Sequence, residues 1–164
     1  MYKVVEKRER RSKTPEQALS SLMRLASRGE KSSGDALRLM SGWGVDPERR
    51  QEVLQRLIGD GFIDDRRYAA AYVREKTRLA GWGAYKIRRA LAVKGISPEI
   101  IVEALGEIDG EAAERRLEQM LQRKASSVKS KDVYDLKGKL VRYGLSLGYD
   151  YDRVIPAVEK IIKE

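Results

Sequence analysis

Apolar side chains recur at helical spacing from one end of the chain to the other. Leu19, Leu22, Met23 and Ala26 form one stripe at i, i+3, i+4 and i+7, the face of an amphipathic helix. Thr14-Pro15-Glu16-Gln17 opens that helix with a capping hydroxyl, a proline at the first helical position and a Gln that can complete a capping box, and Gly29 stops it. A second helix is predicted from Ser32 or Ser33 to Gly42. Asp46 then caps a third, whose Pro47 is tolerated because a first-turn N–H has no partner within the helix. No stretch shows the alternation of Val, Ile and Thr that a strand would need.

The same plan is written three times. With Gly44 set on Gly95, 51 residues on, Asp46-Pro47-Glu48 falls on Ser97-Pro98-Glu99, Met40 on Leu91, Ala36 on Ile87 and Leu54 on Leu105. A third, weaker copy places Gly148 a further 53 residues along, with Leu140 under Ile87, Val154 under Ile101 and Val158 under Leu105. The second unit has a longer first helix from Asp64-Asp65 to about Leu79, a break at Gly81-Trp82-Gly83, a helix over about Ala84 to Lys94 and a third capped by Ser97. The last unit opens at Asp109 or Gly110, passes through a Ser/Lys linker over 125–131 as its flexible point, and has helices over about Val133 to Leu147 and from about Asp152. These periods predict an all-α chain of three tandem three-helix repeats, over 14–63, 64–108 and 109–164. Each unit buries only a thin stripe of each helix and should lean on its neighbours, which predicts an elongated, curved array. Arg50 stands where the other copies have Ile101 and Val154. The first unit's third helix either turns differently or exposes a basic side chain, or else the register shifts by one residue.

Charge sharpens this picture. The net charge is +9, and residues 66–94 hold nine basic side chains against one acidic, a net +8, while residues 95–119 carry −5. The centre of the chain is therefore its basic pole, suited to a polyanion or an acidic protein surface, although a solvated helix face would also be rich in Lys and Arg. Arg67, Arg74 and Arg78 share a face of the longer helix at i, i+7 and i+11, beside a seam of Tyr68, Tyr72 and Leu79. Arg66 flanks that stripe, Lys86, Arg88 and Arg89 follow on the next helix, and Lys94 ends it, where a cation also suits the helix dipole. These eight are the candidate partner- or nucleic-acid-binding residues. Lys7 to Lys13 reads as a flexible basic arm within residues 1–13.

Composition removes most enzymes. The chain has no Cys and no His, so thiolate metal sites, disulfides and every Ser-His or Cys-His arrangement are excluded. No phosphate-binding Gly-x-x-x-x-Gly-Lys loop is present. The expectation is no catalytic residues, no metal and no cofactor. No apolar run reaches the ~18 residues of a membrane span and the N-terminus lacks an apolar signal core, which predicts a cytoplasmic protein that does not bind membranes. Asp64-Asp65 reads as a helix cap rather than an acid-base pair. Trp43 and Trp82, each between glycines, read as packing plugs or as stacking platforms, and Tyr143, Tyr149 and Tyr151 read mostly as core.

The segment from Gly61 to Leu105 resembles the RecX family of bacterial regulatory proteins. Gly61-Phe62, Asp64-Asp65, Tyr68, Tyr72, Gly83, Ile87-Arg88, Leu91 and Gly95-Ile96 carry the likeness, which extends outward over roughly 14–164. Gly144 departs from it, falling where a large apolar residue is usual. The resemblance implies three tandem three-helix repeats in a curved body, acting as a monomer in DNA recombination, DNA repair and the SOS response. It further implies a non-enzymatic regulator that docks on the RecA filament, with single- or double-stranded DNA contacted directly or within that filament, and that inhibits strand exchange, ATP hydrolysis and coprotease activity. The rival reading is a sequence-independent DNA- or RNA-binding helical module with no RecA partner.

Overall fold

Local capping chemistry sets the helix boundaries. α1 (Pro15–Arg28) starts behind Thr14, whose hydroxyl accepts the Gln17 N–H while the Gln17 side chain accepts the Thr14 N–H. α2 (Ser33–Gly42) starts behind the same reciprocal box, made by Ser32 and Asp35. Each box satisfies two amides that have no intrahelical partner, and a cap of this kind contributes about 1 kcal/mol. Asp46 caps α3 (Pro47–Gly59), Asp64 accepts the Arg67 N–H at the start of α4 (Asp65–Arg78), and α5 (Ala84–Val93) begins at Gly83 without a side-chain cap. Ser97, Asp109, Asp132 and Asp150 do the same for α6 (Pro98–Gly106), α7 (Gly110–Ser127), α8 (Val133–Ser146) and α9 (Tyr151–Lys163). The computed structural model describes residues 11–163, and among them are nine helices and no strand. Most of the N-terminal basic arm, residues 1–10, lies outside the described residues, as does the segment read for a signal sequence.

The turn between the second and third helix recurs three times as one object. Gly44, Gly95 and Gly148 have φ of +72°, +80° and +95°, a region that L side chains rarely adopt. The next residue turns its N–H back to the helix, Val45 to the Met40 carbonyl, Ile96 to Leu91 and Tyr149 to Gly144, which is the Schellman ending. Val45, Ile96 and Tyr149 are all buried. Arg50 keeps the shared register, since Val53, Ala104 and Ala157 are buried at equivalent places. Its guanidinium folds back so that Nε donates to the Val45 carbonyl at 2.9 Å. The missing bulk at Gly144 is taken up by Val154, whose methyls would lie 2.8 and 3.0 Å from a Cβ there.

The chain forms two compact units that divide within α4, after Tyr68. In the first, α1 and α2 pack on α3 around Leu22, Met40, Val45, Leu54, Leu57 and Ile63. Asp65 at the start of α4 accepts the Ser33 N–H at 2.7 Å, tying that helix to the head of α2. In the second, α7, α8 and α9 pack around Leu117, Leu121, Leu140, Val154 and Val158, and α5 packs on α6.

Within the second unit two glycines bring backbone against backbone. Gly83 donates its N–H to the Leu147 carbonyl at 2.7 Å and Tyr85 donates to the Gly148 carbonyl at 3.0 Å. A Cβ on Gly83 would lie 2.5 Å from the Gly148 carbonyl carbon, and one on Gly148 would lie 2.4 Å from Lys86 Cβ. The Gly81-Trp82-Gly83 break is therefore the place where the turn after α8 seats on the start of α5. The predicted linker is shorter than its composition implies. Ala125, Ser126 and Ser127 complete the last turn of α7, with the two serine hydroxyls donating to carbonyls one turn back. Beyond it, Lys139 donates to the Lys129 carbonyl and Asp135 accepts the Lys131 N–H, which pins the connection to α8.

Candidate functional site

The central cations divide into those the fold uses and those it leaves outward. Arg67 belongs to the first kind. Its Nε meets Glu30 Oε1 at 2.7 Å and its Nη2 donates to the carbonyls of Gly61 and Phe62, so it clamps the turn after α3. Lys86 lies 4.3 Å from the centre of the Trp82 ring, with Lys76 on the same indole at 4.9 Å. Lys94 is the C-cap of α5 and half-buried. Arg66 is exposed. Arg74 and Arg78, one turn apart on α4, are exposed and form no ion pair among the described residues, and the same holds for Arg88 and Arg89 on α5. Arg88 lies 5.7 Å from the Tyr85 ring. Tyr85 and Val93 are themselves exposed, so α5 presents basic, aromatic and aliphatic groups together.

Arg74 and Arg78 also line a groove of about 370 Å³ against α6 and α7, and there a residue passed over by the sequence reading joins them: Arg116 of α7. Counting charge by segment hides Arg116, because it lies in the acidic stretch 95–119. Glu107 and Asp109 line the same groove, but the Asp109 carboxylate is already accepting the N–H groups of Glu111 and Ala112. Arg116 Nε and the Tyr149 hydroxyl are both buried and lack a hydrogen-bond partner. Burial pushes the Tyr149 phenol up from its ordinary value, against a smaller opposing pull from Arg116. A cleft lined by three guanidinium groups suits a phosphate or carboxylate oxygen.

Other expected features resolve individually. Trp43 and Trp82 are half-buried, and Lys13 sits 3.9 Å over the Trp43 ring while its Nζ donates to Ser21 and its N–H to the Trp43 carbonyl. Lys13, grouped with the basic arm by sequence, is thus anchored. Tyr68 is buried, but Leu79 is 83% exposed, because α4 ends at Arg78 and the seam stops short of it. Tyr149 is core and Tyr143 is half-buried against it, whereas Tyr151 is 59% exposed, since it opens α9 with its side chain outside the bundle. Among the described residues no group of three or more carboxylates could hold a metal ion, and no helix is long and apolar enough to cross a membrane.

Comparison with known proteins agrees with this architecture. The family model described as RecX, second three-helix domain, matches residues 64–105, which span α4 to α6. The regulatory protein RecX of Clostridium botulinum (strain Alaska E43 / Type E3) is 32% identical over 164 residues, covering 99% of this chain and 73% of that one. Among solved structures, the crystal structure of RecX from Lactobacillus salivarius superposes with a TM-score of 0.78 at 18% identity, over 92% of this chain and 97% of that one. A second crystal structure, of regulatory protein RecX, gives 0.81 at 22% identity, over 92% of this chain and 73% of that one. At these identities the structures speak for the fold of three-helix repeats.

Proposed function

The chain belongs to the RecX family of regulatory proteins, and from that premise we propose that it binds the RecA nucleoprotein filament in the cytoplasm and restrains its activity. On this reading it has no catalytic chemistry of its own. It acts by differential binding, favouring a filament state that turns over ATP and exchanges strands slowly. The observation that carries the proposal is the set of outward guanidinium groups, Arg74, Arg78, Arg88 and Arg89, left without carboxylate partners on two successive helices. Surface arginines that the fold does not use are available for phosphate oxygens or for acidic side chains, and a protein filament on DNA offers both. Tyr85 and Val93 on the same helix add apolar contact that bare phosphate would not reward.

Arg67, Lys86 and Lys94 have a lesser part in this proposal, because Arg67 is committed to Glu30, Lys86 to Trp82, and Lys94 to the end of α5. The test is the single-strand-dependent ATPase of RecA titrated with purified protein. Suppression at well below one molecule per RecA monomer supports the reading. An unaltered rate at stoichiometric amounts, with salt-sensitive binding to bare DNA or RNA, would replace it with a plain nucleic-acid-binding module.

A further inference from the structure

Arg116 of α7 sits where the fold gives it nothing to bind. Its Nε is buried without a hydrogen-bond partner, and its guanidinium forms no ion pair among the described residues. Beside it stands Tyr149, a residue only 6% exposed, whose hydroxyl also lacks a partner. The guanidinium is close enough to act on that phenol, pulling against the rise that burial causes. A phenol is neutral at neutral pH, so it leaves the charge on Arg116 uncompensated. A buried donor without an acceptor is costly, and in native proteins a bound water or ion commonly meets it.

Arg116 opens onto the groove of about 370 Å³ that Arg74 and Arg78 line from α4. Those two are four residues apart, about 6 Å along the helix. Of the acids on the groove wall, Asp109 is held by the N–H groups of Glu111 and Ala112 at the head of α7. Glu107 is exposed and forms no ion pair among the described residues. Three guanidinium groups therefore line the groove without a carboxylate partner.

The rest of the wall narrows the choice of ligand. Ala70, Ala104 and Ala112 contribute little bulk and no aromatic ring lines the groove, so neither base stacking nor a large apolar anchor recognises an occupant there. Charge-assisted hydrogen bonds do. Each guanidinium can present two parallel N–H donors, and three of them supply more donors than the lone pairs of one carboxylate accept. A phosphoryl group brings three acceptor oxygens and, as a monoester, close to two negative charges.

We propose that Arg74, Arg78 and Arg116 form one seat for a phosphoryl group, carried by a nucleic-acid strand or by a small phosphate compound, which on binding joins α4 to α7. The seat deepens the filament reading by giving two of its arginines a ligand, and it adds Arg116 from outside the basic segment. No RecA enters the test, so failure of the seat and failure of the filament reading are separately visible. The full chain is titrated with pyrophosphate, with malonate and with a single-stranded oligonucleotide, read by thermal melts and fluorescence anisotropy. Pyrophosphate is expected to raise the melting temperature, and malonate at equal concentration to leave it unchanged. Arg116→Gln should abolish that rise while keeping the parent's helicity and its melting temperature without ligand. Arg74→Gln, at an exposed position, should reproduce the loss without touching the interior. Arg115→Gln is the control: Arg115 carries the same charge but pairs with Glu111 at 3.8 Å and does not line the groove, so its loss should leave the rise intact. A drop of about tenfold in oligonucleotide affinity for Arg116→Gln, but not for Arg115→Gln, assigns the phosphoryl group to a strand. Unchanged oligonucleotide affinity with the pyrophosphate rise lost assigns it to a small phosphate compound. The proposal is overturned if Arg115→Gln and Arg116→Gln behave alike toward both phosphate probes, which leaves only general positive charge. Malonate raising the melting temperature as much as pyrophosphate also overturns it.

Discussion

Gly83 and Gly148 owe their identity to the same close approach. With backbone carbonyl atoms 2.5 Å from any Cβ placed on Gly83, neither partner can move aside as a side chain tip would. Gly83→Ala is expected to cost at least about 2 kcal/mol in urea unfolding, while Gly59→Ala, whose Cβ meets nothing within 4 Å, is neutral or slightly stabilising. The sequence marks Gly83 as a break in the helical pattern. It cannot show that the break is a seat for a turn 65 residues later, because that contact is made by backbone, which leaves no side-chain signature. Tyr149 poses a related problem. Its buried hydroxyl has no hydrogen-bond partner and its phenol is raised, mainly by burial. A group raised in the folded state contributes stability that is intact below its unfolded pKa of about 10 and is lost as pH climbs through the folded value. Tyr149→Phe should therefore keep or slightly raise stability at neutral pH and lessen its loss above about pH 10, as read by thermal melts across that range.

Among the helices, what is local was legible and what is distant was not. The capping residues Thr14, Ser32, Asp46, Ser97 and Asp109 act on amides two or three residues away, and each does so in the structure. The arginines of α4 illustrate the same limit. Helical spacing sets Arg67, Arg74 and Arg78 on one stripe, yet Arg67 is drawn off to Glu30, 37 residues earlier in the chain. Its removal would leave Glu30, whose second oxygen is already buried without a partner, uncompensated. Arg67→Ala is expected to lower unfolding stability by about 1 kcal/mol, a modest figure because the pair is partly exposed, whereas Arg74→Ala stays within about 0.5 kcal/mol of the parent. Equal losses at both positions would show that α4 uses its arginines alike.

Across the whole molecule, three copies of a helix-turn-helix joint give a scaffold, and charge decides what the scaffold offers. The net +8 over residues 66–94 was visible in the sequence, but only part of it faces outward unused. Arg116 was invisible because its neighbours in the chain are acids, although in the fold it lines the groove of Arg74 and Arg78. The proposed binding therefore rests on a few outward guanidinium groups rather than on bulk charge. The measurement that bears on it most directly is the suppression of RecA's single-strand-dependent ATPase by the parent protein and by a variant with Arg74, Arg78, Arg88 and Arg89 all changed to Glu, matched for helicity and melting temperature. The account predicts suppression by the parent at well below one molecule per RecA monomer and a loss of at least about tenfold in potency for the variant. Equal potency of the two proteins, at matched stability, would contradict it.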